Sequence, residues 1–139
     1  MTTNVATLPK PKKSTAHRLV SLEKYFQNEE KALFKSEYHQ GKVIKMAGGT
    51  HNHDSLSVMC ATLMSNFVED NDLNCRVNGS GLKIRIEAYD KVVYADALVI
   101  TEKAEYYKGR KDTITNPVLI VEVLSDSTEK FDRSSKFDY

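Results

Sequence analysis

Two carboxylates interrupt apolar runs in this chain, Asp96 inside VVYADALVI and Glu122 inside VLIVEVL. An unpaired ionised carboxylate in such a strand is costly or is forced to stay protonated, so each needs a partner. A divalent cation compensates both charges at once. Strand alternation puts Val92, Tyr94, Asp96 and Leu98 on one side of the first run and Val118, Ile120, Glu122 and Leu124 on one side of the second. Adjacent strands in register would bring both carboxylates to one ion, with the carbonyl of Val123 as a third ligand. A metal held this way can activate water and polarise a phosphodiester. The alternative is that each carboxylate bridges a nearby Lys or Arg for structural reasons; the matched contexts favour a shared cation.

The elements that must position these residues are legible as patterns. Ser21 is the N-cap of a helix over Leu22 to Glu29. EYHQGKVIKM reads as two extended pieces around Gly41. Gly48-Gly49-Thr50 ends that strand, and a helix opens near His53. Leu56, Met59, Cys60, Leu63, Met64, Phe67 and Val68 form its apolar stripe, expected to pack on the sheet. Leu82, Ile84 and Ile86 alternate with Lys83, Arg85 and Glu87, one apolar face against one charged face. The runs that hold Asp96 and Glu122 read as central strands covered on both faces. Thr101 to Thr115 is a surface excursion whose Tyr106 and Tyr107 could stack on bases, although a packed loop is favoured. Ser125 to Thr128 is a polar turn, and Phe131 to Tyr139 begins an amphipathic helix that stops without a cap.

The chain has 139 residues, 40% hydrophobic and 28% charged, enough for one domain with one core. Residues 1–17 are read as a disordered arm and 18–139 as the domain. Lys10, Lys12 and Lys13 in that arm could touch phosphates, but a solvated tail is favoured. A net charge of +1 gives no strong overall field, so any polyanion would need a local basic patch. Cys60 and Cys75 lack metal-ligand spacing, and a disulfide between them is not expected. The N-terminus has no apolar signal region, and no run approaches the ~20 residues of a membrane span, so a cytoplasmic protein is expected.

Several blocks carry a family resemblance: Glu37-Tyr38 before Gly41-Lys42-Val43-Ile44, MAGGTHNHDSL, Asn78-Gly79-Ser80, VYADALVI, and NPVLIVEVLSDSTEKFDRSSKFDY. From about Ser21 to Tyr139 the chain resembles the Uma-two family of restriction endonucleases, a branch of the PD-(D/E)XK nuclease superfamily. The resemblance implies an α/β, restriction-endonuclease-like fold: a central mixed β-sheet flanked by α-helices. It also implies a Mg²⁺-dependent endonuclease acting on DNA, with Mn²⁺ as a substitute and a homodimer as a common working form. Asp96 matches the metal-binding aspartate, with Ala95 in place of the usual preceding proline. Glu122 matches the acidic residue of the E-x-K element, and Glu37 an additional glutamate that reaches a second metal or orients water.

The lysine of E-x-K is missing, because position 124 is Leu. Lys136 is the first candidate for the basic role and Lys83 the second. His53, at a helix start, is placed to contact phosphate together with the helix N-terminus. Family members usually continue past the tyrosine that Tyr139 matches. The domain is therefore expected to be C-terminally incomplete, and marginally stable or oligomeric. A catalytically inactive remnant that binds nucleic acid or a partner is the competing expectation.

Overall fold

A computed structural model describes residues 19–124. Lys136, the N-terminal arm and the turn and helix expected after Leu124 lie outside the described residues.

Helix α1 (Leu22–Glu29) starts where expected, with Ser21 Oγ accepting the Lys24 N–H at 3.2 Å. Strands β1 (Ser36–His39) and β2 (Lys42–Lys45) then form a hairpin. Its two-residue turn has Gln40 and Gly41 both at positive φ, the backbone twist that matches flanking strands. Helix α2 (His51–Asp70) begins two residues before His53, capped by Thr50 Oγ1 on the His53 N–H at 3.3 Å. Strands β3 (Cys75–Gly79), β4 (Lys83–Ile86), β5 (Lys91–Tyr94), β6 (Ala97–Thr101), β7 (Thr113–Ile114) and β8 (Pro117–Val121) follow.

The strands pair as a five-stranded mixed sheet, β2-β1-β5-β4-β7, and a three-stranded antiparallel sheet, β3-β6-β8. Only β4 and β7 pair in parallel among the described strands. VVYADALVI is thus two strands rather than the single strand its pattern predicts. It leaves one sheet after Tyr94, turns through Ala95-Asp96, and enters the other at Ala97. Both halves are buried, and Ile84, Val93, Ala95, Leu98, Ile100 and Ile114 make a core shared by the two sheets. A second cluster, Tyr25, Phe26, Tyr38, Val92 and Tyr107, seats α1 on the mixed sheet.

Three other expectations are corrected. Strand β8 is an edge of its sheet rather than a central strand, and Val118, Leu119 and Ile120 are all about half exposed. Helix α2 lies against β3 and β6, yet Leu56, Met59, Leu63 and Phe67 of its expected stripe stay 48–62% exposed. Thirdly, β4 has no solvated charged face. Lys83 and Arg85 are buried, because Asp112 and Asp90 neutralise their charged ends at 2.7 and 2.8 Å. Within the 101–115 excursion, Tyr107 packs on Phe26 with ring centroids 6.0 Å apart, as the packed-loop reading expects, while Tyr106 is exposed. Cys60 and Cys75 are free thiols. No helix among the described residues is long and apolar enough to cross a membrane.

Candidate active site

The turn between the two sheets is what presents Asp96. Its own N–H is held by the carbonyl of Val121 at 3.1 Å, tying the turn to the end of β8. Its side chain returns the link, since Oδ2 accepts the Val123 N–H at 2.7 Å. His53, in the first turn of α2, brings Nε2 to 3.3 Å from the same oxygen. Both contacts fall on Oδ2, and Asp96 is partly accessible, so Oδ1 is left for a further ligand.

Glu122 follows β8 directly. The antiparallel register of β6 and β8 pairs Ala97 with Val121, so Asp96 and Glu122 stand one step beyond that pair on neighbouring chain segments. Their backbone placement therefore differs from the expected one: both lie just outside strands instead of inside two central strands. The amide N–H of Val123 is the group that hydrogen-bonds Asp96.

Glu37 is buried in β1. Its Oε1 accepts the N–H of Tyr94 at 3.2 Å and its Oε2 faces His39 Nε2 at 3.0 Å. The carboxylate extends the link between β1 and β5 past their last backbone pair, Tyr38 with Val92. Glu37 thereby holds the strand residue two positions before Asp96.

The lysines separate clearly. Lys83 donates to Asp112 Oδ2 at 2.7 Å, and its ammonium lies 5.5 Å from the centre of the Tyr94 ring. Burial pushes the Asp112 carboxyl up, but the hydrogen bond and charge of Lys83 outweigh it and hold the group below its ordinary 3.8. Lys83 thus neutralises a structural carboxylate. Lys35, which the sequence reading passed over, reaches the same ring at 5.1 Å and donates to the carbonyl of Ser80 at 2.6 Å. Ser80 follows Gly79, the partner of Ala97, so Lys35 is brought to the sheet end where Asp96 sits. No periodicity marks this residue, which stands just before β1. Tyr94 itself has its phenol pushed up, first by burial and then by the hydrogen bond to Glu29 at 2.9 Å.

An open groove lined by Arg85, Tyr106, Tyr107 and Lys108 lies apart; neither Asp96 nor Glu122 lines it. Among the described residues, no three His, Cys, Asp or Glu side chains gather closely enough to enclose an ion. That disfavours a closed, all-protein cage.

The family model described as "Uma2: Putative restriction endonuclease" matches residues 22–139. The chain belongs to the Uma2 family. Among Uma2 relatives, the uncharacterized protein slr1290 of Synechocystis sp. is 40% identical over 120 residues, covering 85% of this chain and 60% of that protein. The uncharacterized protein sll1609 of the same organism is 33% identical over 122 residues, covering 88% and 68%. The chain thus spans about two thirds or less of the curated relatives' length. A crystal structure described as a putative nuclease belonging to DUF820, from Anabaena variabilis, superposes with a TM-score of 0.65. It is 18% identical and covers 84% of this chain and 65% of its own, which shows the restriction-endonuclease-like fold expected for Uma2.

Proposed function

We propose that this Uma2 chain carries the site of a divalent-metal-dependent endonuclease that hydrolyses DNA phosphodiester bonds. The observation that carries the reading is the Asp96 carboxylate, fixed through Oδ2 at the junction of the two sheets with Glu122 beyond the adjoining strand pair. The family description supports the same class of chemistry. Asp96 and Glu122 would hold Mg²⁺ or Mn²⁺, with a backbone carbonyl such as that of Val123 and waters filling the remaining positions. When bound, the ion supplies Lewis acidity toward a phosphoryl oxygen and lowers the pKa of a coordinated water. The chain's own residues do the positioning. Glu37 anchors Tyr94 and, through it, the segment that presents Asp96. Lys35 places positive charge at that sheet end, where it would stabilise a phosphate. Lys136 remains the candidate for the absent E-x-K lysine.

A double-strand cut takes two sites, so the working form would be a homodimer, in the cytoplasm where DNA is met. Plasmid nicking with Mg²⁺ or Mn²⁺ tests the reading. Wild type should nick, and Asp96→Ala and Glu122→Ala should each abolish nicking. Nicking that survives both substitutions would overturn it. The engagement of Lys83 by Asp112, together with Leu124, favours one second reading: a chain that binds nucleic acid without turnover. DNA binding by a folded sample that never nicks would select it.

A further inference from the structure

Resting on the reading of Asp96 as a metal ligand, we propose that His53 is a positioning residue that fixes the Asp96 carboxylate toward the cation, and that Gly49 leaves its ring the room to do so. The backbone of His53 is set by the Thr50 cap on its N–H and by Ser57 Oγ, which donates to its carbonyl at 2.8 Å. Its ring then lies between two neighbours. On one side Nε2 stands 3.3 Å from Asp96 Oδ2. On the other, a Cβ added at Gly49 would stand 3.0 Å from Nδ1, tighter than ordinary van der Waals contact, so the ring would have to give by a few tenths of an ångström.

Backbone torsion gives no reason for glycine at position 49, because the left-handed glycines among the described residues are Gly41 and Gly109. The adjacent Gly48 meets nothing within 4 Å. What position 49 requires is space for the imidazole. With the Val123 N–H and His53 both on Oδ2, the rotation of the carboxylate is set from two directions, and Oδ1 is the oxygen presented outward. Groups that orient a metal ligand in this way typically contribute ~10–100-fold to metal affinity.

The experiment is Mn²⁺ binding by the full chain, followed by calorimetry and by the electron paramagnetic resonance of free Mn²⁺ at one fixed pH. His53→Ala should weaken binding ~10–100-fold. His53→Gln, whose amide can reach Oδ2, should recover most of the loss. Gly49→Ala should weaken binding by displacing the ring, while Gly48→Ala should bind as wild type. Circular dichroism on each variant confirms that the fold is retained. Wild-type affinity in His53→Ala and Gly49→Ala, with binding lost in Asp96→Ala, would overturn the positioning role alone. Equal losses in Gly48→Ala and Gly49→Ala would also overturn it, as would a His53→Gln as weak as His53→Ala, which would make the imidazole itself a ligand. Undiminished binding in Asp96→Ala would overturn the metal reading beneath it.

Discussion

The amide of Val123 donates to Oδ2 of Asp96 at 2.7 Å, so the chain leaving β8 is fastened to the turn that joins β5 to β6. A charged acceptor makes this one of the stronger classes of hydrogen bond. The same carboxylate therefore has a structural duty and a proposed chemical one, and the two can be separated.

Asp96→Asn keeps an acceptor oxygen and removes the charge. It should unfold in urea within ~1 kcal/mol of wild type, since a neutral bond replaces a charge-assisted one, yet lose metal-dependent nicking. Val123→Pro removes the donor and should cost ~1–3 kcal/mol through the unsatisfied carboxylate. An Asp96→Asn chain that nicks normally would separate Asp96 from the chemistry.

Lys83→Met should behave as a stability variant rather than as a phosphate-contact variant. Asp112 has a folded pKa below its unfolded value, so its contribution is present above about pH 4 and disappears as the pH falls through the depressed folded value. Without Lys83 the folded pKa moves up toward the unfolded one, so less stability is left to lose in acid and the acid-side slope should flatten. Because the Asp112 side chain is 41% exposed, the change will be a modest one, read from urea midpoints between pH 3 and 6. A Lys83→Met chain of unchanged stability with lowered DNA affinity would instead assign Lys83 to substrate.

These two cases show where the sequence was readable. Ser21, the turn at Gly41 and the helical course of α2 announce themselves through local chemistry, and each stands near its expected place. The break at Ala95-Asp96 does not, because an apolar run interrupted by one carboxylate, with neither Gly nor Pro, carries no mark of passing between two sheets. The pairing of Lys83 was illegible because its partner Asp112 is 29 residues away. Asp96 and Glu122 drew attention through their surroundings alone, whereas Lys35 gains meaning only from its long-range contact, and Gly49 only once His53 is seen beside Asp96. The exposure of β8 was illegible for the opposite reason: a hydrophobic run reads as buried whether or not anything covers it.

Tyr25 and Tyr94 should resist ionisation. Burial comes first in pushing both phenols up, followed by nearby carboxylates, chiefly Glu29. A raised folded pKa stabilises fully below the unfolded value of 10.0 and is lost as pH rises toward the folded one. Stability should therefore fall progressively above pH 10. In an ultraviolet titration, these two of the seven tyrosines should ionise only as the chain unfolds. Tyr94→Phe should remove one of the late groups; full titration in a still-folded protein would contradict the assignment.

The apolar faces of α2 and β8 give a prediction about association. Sedimentation should detect self-association that strengthens with concentration, and Leu63→Glu with Val118→Lys should weaken it without unfolding the chain. A wild-type sample that stays monomeric throughout would remove the homodimer from the proposed mechanism.

The passage of one continuous segment from the mixed sheet into the antiparallel one has a mechanical corollary. Sliding of one sheet over the other would load the short crossings between them, Ala95-Asp96 together with residues 80–82 and 115–116. Shear between the layers would swing the Asp96 carboxylate before it disturbed a strand. An occupant that immobilises that carboxylate should accordingly slow amide exchange in β5 and β6 alike, one in each sheet.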